Sequence, residues 1–223
     1  MTKTLSRDIA IAPGETALLF IDVQNYCAHR QGSEFKTITQ PDATTELSYF
    51  FERLEGLAVP NMQRLQAACR NSGIEVLFTV IESLTKDGRD RSLDYKITGF
   101  NVPKGSWDGK VIDAIAPGDD EIVIPKTSSS VFVSTNMDYV LRNLGVRYLI
   151  LCGVLTDQCV ESAVRDACDL GYLVTLVPDA CATYSQERHD YSLRAIKGYC
   201  RQRDTDELLA EIAGLSGTPE KVA

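Results

Sequence analysis

The 223-residue chain lacks a surplus of basic residues, and this argues against binding to nucleic acid. Its 23 Lys and Arg are outnumbered by 31 Asp and Glu, which gives a formal net charge of −8. Phosphate binding requires a clustered Lys and Arg surface, but the richest stretch, Lys86 to Lys96, mixes these residues with Asp. We therefore expect no nucleic-acid partner.

Long apolar runs are also missing. No stretch approaches the roughly 18 apolar residues of a membrane span, and Met1 to Ala10 lack the apolar core of a secretory signal. The apolar fraction of 44% is close to the globular average and excludes an intrinsically disordered chain. These features predict a cytoplasmic protein with no membrane partner and a single domain over 1–223, with its core at about 12–213.

Metal and nucleotide signatures are absent as well. The seven cysteines are odd in number and include no CxxC pair, which indicates reduced thiols. The two histidines, His29 and His189, are too few and too far apart in sequence to suggest a two-histidine site. No Gly-rich loop follows the first apolar run, which argues against a nucleotide site. We expect neither a metal nor a cofactor.

What the sequence does contain is an alternation of short apolar runs with amphipathic stretches. The apolar runs predict strands at 17–21, 74–81, 122–124, 148–152 and 172–177. The amphipathic stretches predict helices at about 54–72, 134–143, 157–170, 186–198 and 207–213. Continuous apolar strands alternating with helices indicate an α/β fold with a parallel sheet covered on both faces. The polar stretch 82–110 interrupts this pattern, and its length is typical of a functional loop such as a lid.

Three reactive side chains follow three of these strands. Asp22 follows the first strand, Lys126 ends the third, and Cys159 lies just beyond the fourth. Ligands of doubly wound sheets bind outside the carboxyl ends of the strands. We therefore expect an acid, a base and a nucleophile to converge on one rim.

Cys159 differs from the other six cysteines in its position. The segment 153–159 runs from a strand into a helix, with Thr156 as the expected N-cap, so Cys159 falls in the first helical turn. The positive end of a helix and a nearby ammonium group both favour a thiolate. We expect Cys159 to be the nucleophile and the other thiols to be buried.

Three segments resemble the signature segments of the isochorismatase-like cysteine hydrolases. They are Leu18 to Asn25, Ile122 to Thr127 and Gly153 to Val160, and the likeness covers about residues 12–200. The resemblance implies a three-layer α/β/α fold around a mainly parallel sheet of six strands. Because members of the family are commonly oligomeric, it also implies a homodimer or homotetramer.

The resemblance further implies an Asp22–Lys126–Cys159 triad. A cis peptide bond is implied between Val154 and Leu155, and an oxyanion hole from the backbone N–H groups of Leu155 and Cys159. In the mechanism that follows, Asp22 takes the thiol proton and Lys126 orients the pair. Cys159 then attacks a carbonyl carbon, and a thioester acyl-enzyme forms.

The sequence departs from two branches of this family. Nicotinamidases of the family bind a metal through an acidic residue and two histidines after the second strand, whereas Glu82 to Lys104 contain no histidine. True isochorismatases generally lack the nucleophilic cysteine, so Cys159 favours hydrolysis of a C–N bond. The segment Lys104 to Asp108 is similar to a segment of the ureidoacrylate amidohydrolase branch.

The leading hypothesis is a metal-independent amidohydrolase that acts on a small amide or ureide. Two alternatives stay open: a vinyl-ether hydrolase with Asp22 as general acid, and a catalytically idle binding or assembly module. Aromatic and polar side chains near the strand ends are candidates for substrate contacts. They are Gln24, Asn25, Tyr26, Glu82, Trp107 and Phe132.

Overall fold

Six segments form the strands of a single sheet in the computed structural model, which describes residues 6–12, 14–37 and 41–215. The strands are β1 (Thr16–Ile21), β2 (Glu75–Ile81), β3 (Ile122–Lys126), β4 (Tyr148–Val154), β5 (Leu173–Ala182) and β6 (Arg201–Gln202). Their order across the sheet is β3–β2–β1–β4–β5–β6, and every neighbouring pair is parallel. This confirms the six-stranded sheet.

Helices cover both faces of this sheet. They are α1 (Asn25–Ala28), α2 (Pro41–Arg53), α3 (Val59–Asn71), α4 (Leu93–Thr98), α5 (Val131–Ser134), α6 (Met137–Asn143), α7 (Glu161–Asp169), α8 (Gln186–Ile196) and α9 (Thr205–Leu215). All six residues of β1 are buried, because β1 lies inside the sheet and both of its faces are covered. The predicted α/β/α architecture is therefore confirmed. No described helix is long and apolar enough to cross a membrane.

The helix predicted at 54–72 begins earlier than expected. A π-helical turn, Leu54–Ala58, joins α2 to α3, so the chain is helical from Pro41 to Asn71. Pro60 lies in the first turn of the regular helix α3, directly after the π turn. Proline lacks an N–H group, and the wider turn before it accommodates the missing hydrogen bond.

The segment 82–110 is not structureless. It contains α4 and a 3₁₀ turn at Trp107–Gly109, and the Ser83 N–H group donates to the Val102 carbonyl at 2.9 Å. The Asn25 N–H group donates to the Lys110 carbonyl at 2.8 Å, which fixes the end of the segment against the residues after β1. The segment therefore forms an ordered wall above the carboxyl ends of the strands.

The last two strands also differ from the prediction. β5 continues through Pro178 to Ala182, although proline usually ends an apolar run, and β6 lies in a region expected to hold only a short helix and a tail. The pairing of β4 with β5 shifts register between Leu151 and Gly153. This irregularity allows β5 to continue beside the end of β4, where Val154 pairs with Ala182.

Candidate active site

The three predicted reactive side chains meet at the carboxyl ends of the strands. Asp22 directly follows β1, Lys126 is the last residue of β3, and Cys159 lies in a turn after β4. The Lys126 ammonium is 2.8 Å from Asp22 Oδ2 and 3.4 Å from Cys159 Sγ. The expected convergence of acid, base and thiol on one rim is confirmed.

Asp22 is held by the neighbouring strand β2. Its backbone has a φ of 55°, which is uncommon outside glycine, and its N–H group donates to the Thr79 carbonyl at 3.1 Å. The Thr79 hydroxyl donates to Oδ1 at 2.8 Å. Oδ2 lies 2.8 Å from the Lys126 ammonium. Thr79 thus holds one oxygen of the carboxylate and the ion pair with Lys126 holds the other.

Lys126 is fully buried and has four neighbours. Besides Asp22 and Cys159, its ammonium donates to the Tyr95 hydroxyl at 3.2 Å and to the Ser128 carbonyl at 2.8 Å. Burial acts to lower the pKa of Lys126, but the negative charge of the Asp22 carboxylate outweighs it and holds the pKa above its ordinary value. Lys126 is thus a permanent cation at the centre of the cluster.

A π-helical turn, Thr156–Val160, carries Cys159. The Gln158 and Val160 N–H groups donate to the Leu155 carbonyl at 3.1 and 3.3 Å. The Val154–Leu155 peptide bond is cis, where the resemblance implies one.

Burial and the neighbouring charges act on the Cys159 thiol in opposite directions. Burial raises the pKa of the thiol to about 12, the Lys126 ammonium lowers it in part, and Asp22 raises it again. The positive charge expected beside the thiol is present, but loss of hydration outweighs its effect on the pKa.

Thr156 does not cap the helix as predicted, because its hydroxyl is paired with His189. The Arg53 guanidinium donates to His189 Nε2 at 2.8 Å, so Nδ1 carries the hydrogen and donates to Thr156 Oγ1 at 2.9 Å. Burial and the Arg53 charge lower the pKa of His189 to about 4. A neutral histidine therefore ties α2 and α8 to the turn that holds Cys159.

The backbones of β1 and β4 approach closely beside this turn. Gly153 pairs with Ile21 and has a φ of 135°. A Cβ atom at this position would lie 2.2 Å from the Ile21 carbonyl oxygen. Glycine is therefore required where the residues before Cys159 pass Asp22.

A small cavity opens above Asp22 and Cys159. The residues around it are Asp22, Cys27, Glu34, Ile81, Asp94, Tyr95, Phe100, Ser129, Val154, Leu155, Gln158 and Cys159. Three of these lining residues are acidic and none is Lys or Arg.

Glu34 brings a second buried carboxyl group to the cavity. Its Oε1 accepts a hydrogen bond from the Tyr184 hydroxyl at 2.8 Å, whereas Oε2 is out of contact with solvent and has no partner among the described residues. Burial raises the pKa of Glu34 to about 7, although the bond from Tyr184 lowers it.

The predicted substrate contacts lie outside this lining, and three of them hold or flank the segment 82–110. Gln24 Nε2 donates to the carbonyls of Ile81 and Asp108, each at 2.9 Å, and Asn25 Nδ2 donates to the Trp107 carbonyl at 3.0 Å. The Trp107 ring is 45% exposed and packs against His29. These side chains support the wall and do not line the cavity.

The other three predicted contacts also face elsewhere. Tyr26 packs edge-on against Phe100 at 5.7 Å between ring centroids. Glu82 accepts a hydrogen bond from the Gly105 N–H group, and Phe132 lies 6.0 Å from the Tyr172 ring.

Asp22, Val154, Leu155 and Cys159 were predicted and line the cavity, but sequence reasoning missed other lining residues. Tyr95 and Phe100 belong to the stretch 82–110, which the sequence predicts to be functional. The length of the segment indicated its importance, but no pattern singled out these two residues. Glu34 lies in a short polar 3₁₀ turn, Ser33–Thr37, with no distinguishing pattern. Among the described residues, no three His, Cys, Asp or Glu side chains cluster in a way that could hold a metal ion.

Among solved structures, a cysteine hydrolase from Pseudomonas syringae pv. phaseolicola matches with a TM-score of 0.78 at 24% identity, covering 96% of this chain and 100% of that one. An N-carbamoylsarcosine amidase from Thermoplasma acidophilum matches with a TM-score of 0.64 at 26% identity, covering 86% and 98%.

Sequence relatives agree with this likeness. The ureidoacrylate amidohydrolase of Rhizobium rhizogenes is 29% identical over 188 residues, 77% of this chain and 72% of the relative. That of Pseudomonas syringae pv. syringae is 30% identical over 191 residues, with the same coverage. The isochorismatase domain matches residues 16–207. The chain therefore belongs to the isochorismatase family.

Proposed function

We propose that the protein is a cysteine-dependent amidohydrolase that cleaves a C–N bond of a small amide or ureide without a metal. The observation that carries this proposal is the contact of the Lys126 ammonium with both the Asp22 carboxylate and the Cys159 thiol, beneath a cavity. The sequence relatives, which are amidohydrolases by name, support the choice of a C–N bond.

In the proposed first step, Asp22 Oδ2 takes the thiol proton and Cys159 Sγ bonds to the substrate carbonyl carbon. The carbonyl oxygen becomes an oxyanion, which the N–H groups of Leu155 and Cys159 stabilise; one such donor is typically worth about 3 kcal/mol of barrier. Lys126 stabilises the sulfur anion as it forms. The C–N bond then breaks, and Asp22 returns the proton to the leaving nitrogen.

The second step hydrolyses the thioester. Asp22, again ionised, takes a proton from a water molecule whose oxygen attacks the acyl carbon. The C–S bond breaks, the thiolate recovers the proton from Asp22, and the acid product leaves. Asp22 thus acts as base and acid in both halves of the reaction.

The test is a screen of small amides and ureides for release of ammonia. We expect turnover by the wild type that chelators do not reduce, no turnover by Cys159→Ala or Asp22→Asn, and a Cys159 acyl adduct in the mass spectrum of quenched reactions. Substantial activity in purified Cys159→Ala would disprove nucleophilic catalysis. Hydrolysis of an isochorismate-like vinyl ether by that variant, without ammonia, would favour the alternative function.

A further inference from the structure

The charges around the cavity restrict what can bind there. Among the described lining residues, Asp22, Glu34 and Asp94 are acidic and no side chain is Lys or Arg. Lys126 lies below the cavity and its ammonium is already engaged by four neighbours. A carboxylate on the substrate would therefore find no free cation in this lining.

Glu34 is held in position from two sides. The Tyr184 hydroxyl donates to its Oε1, and the preceding residue is anchored because the Ser33 hydroxyl donates to Asp108 Oδ2 at 2.6 Å. Oε2 has no hydrogen-bond partner among the described residues, and Glu34 is one of the residues that line the cavity. A buried carboxylate oxygen in this condition is costly unless a donor reaches it.

A ligand with an N–H group would supply the missing donor. A charge-assisted hydrogen bond to a carboxylate is about twice as strong as a neutral one. A carboxylate at the same place, such as that of ureidoacrylate, would meet a like charge. Ile81, Phe100 and Leu155 supply apolar surface in the same lining, which suits a short carbon chain between the two polar ends.

We infer that Glu34 determines substrate specificity, and that the substrate is a small amide or ureide whose far end carries an amine or amide N–H donor and no carboxylate. This inference rests on the proposed function, because it assumes that the scissile group lies at Cys159. It separates this chain from enzymes whose substrate ends in a carboxylate.

Three ureas of equal length test the inference: aminoethylurea, propylurea and ureidopropanoate, which end in an ammonium, a methyl and a carboxylate group. The wild type should have the highest kcat/KM for aminoethylurea and the lowest for ureidopropanoate. Glu34→Gln should reduce the ratio of these two values roughly tenfold or more, as expected for loss of a charge-assisted hydrogen bond. It should change kcat/KM for propylurea much less.

Asp94→Asn is the matched control. Asp94 also lines the cavity but is exposed at its mouth, so water and salt screen its charge. This variant should leave the ratio within about twofold. An equal change of the ratio in both variants would indicate that the summed negative charge of the lining sets the preference, and would overturn a specific role for Glu34.

Binding separates the failure of this inference from the failure of the proposed function. Ligand-observed NMR on Cys159→Ala, with and without Glu34→Gln, gives the affinity order of the ureas without turnover. If no urea yields ammonia but this order follows Glu34, the proposed function fails and the specificity role stands. The inference is overturned if turnover depends on Cys159 but ureidopropanoate is the preferred substrate. It is also overturned if Glu34→Gln leaves the ratio of kcat/KM for aminoethylurea to that for ureidopropanoate unchanged. Equal binding of the three ureas, or none, would also overturn it.

Discussion

Lys126 is a buried cation in contact with both a carboxylate and a thiol. Its ammonium is out of contact with water, so the Asp22 carboxylate is its principal electrostatic partner. The Cys159 thiol, as the third member, keeps its proton because Asp22 and burial together outweigh the cation. The site therefore rests with one cation, one anion and one neutral thiol.

Asp22→Asn should change turnover and thiol reactivity in opposite directions. Without the carboxylate, Lys126 loses its counter-ion and the Cys159 thiolate can replace it, so the pKa of the thiol should fall from about 12. Each unit of this fall raises the thiolate fraction about tenfold. Labelling of Cys159 by iodoacetamide at neutral pH, followed by mass spectrometry, should therefore be faster in this variant, while hydrolysis is lost.

The labelling assay must resolve Cys27, which lines the same cavity. Burial holds the pKa of Cys27 well above its usual value, and its thiol donates to the Asp22 carbonyl at 3.1 Å. Labelling should therefore remain at Cys159. Slower labelling of Cys159 in Asp22→Asn than in the wild type would contradict the proposed charge distribution.

Lys126→Met should destabilise the fold as well as abolish activity. It leaves the buried Asp22 carboxylate without its cation, and breaking a buried ion pair costs about 3–5 kcal/mol. Urea unfolding measures this loss. Adding Asp22→Asn should restore most of the stability, because the unpaired charge is then removed.

An exposed ion pair provides the comparison. Arg89→Ala breaks the solvent-exposed contact of Arg89 with Asp87 and should leave the urea midpoint nearly unchanged. A similarly small effect of Lys126→Met would show that Asp22 is hydrated or protonated in the absence of the lysine.

Elements of secondary structure were predictable to different degrees. β1 and β2 could be read from the sequence because buried parallel strands are continuous apolar runs. The second half of β5 could not, because Pro178 and Asp179 break the run. The π turn at Thr156–Val160 has no sequence signature, and the pairing of Thr156 with His189 that accompanies it joins residues 33 positions apart.

Gly153→Ala tests the close approach of β1 to β4. The added methyl would overlap the Ile21 backbone, so the strands must separate and shift Asp22 relative to Cys159. We expect strong loss of kcat, since small misplacements of reacting groups are costly, together with a lower urea midpoint.

Gly145→Ala is the control for backbone strain alone. Gly145 also has a positive φ, of 73°, but a Cβ atom there meets no other atom within 4 Å. This variant should lose about 1 kcal/mol of stability and keep its activity. Equal loss of activity in both variants would show that strain, and not contact with Ile21, is responsible.

At the scale of the whole molecule, two buried groups couple stability to pH with opposite signs. The pKa of His189 is lowered to about 4. Its contribution to the stability of the fold is therefore present above about pH 6.5 and is lost as the pH falls toward 4. The pKa of Glu34 is raised to about 7. Its unfavourable charge acts above pH 7 and is relieved as the pH falls toward its unfolded value near 4.5.

Glu34→Gln should therefore change how stability depends on pH. As the pH falls from 7 to 4.5, the free energy of unfolding of the wild type should rise relative to that of the variant. The full difference between the folded and unfolded pKa of Glu34 corresponds to about 3 kcal/mol. Urea unfolding of both proteins at several pH values measures this difference, and the contribution of His189 cancels because both share it. Parallel curves would show that Glu34 titrates as an ordinary surface carboxyl.

The whole cavity was less predictable than the cluster of Asp22, Lys126 and Cys159. Asp22, Lys126 and Cys159 each lie next to a strand that the sequence reveals, so their convergence follows from the topology of the sheet. Glu34 and Phe100 come from segments whose position depends on tertiary contacts. Whether a side chain such as Gln24 faces the cavity or holds a backbone carbonyl is decided by packing that no local pattern records.

Under the proposed function, the strand ends carry the reactive groups and the segments above the sheet carry the residues that select the substrate. The charged floor is fixed by strand ends, while the walls come from the turn Ser33–Thr37 and from 82–110. Substrate preference could be redesigned by exchanging wall residues such as Glu34 or Phe100 while the reactive floor is left intact. Directed libraries confined to the walls should yield new selectivities more often than inactive proteins.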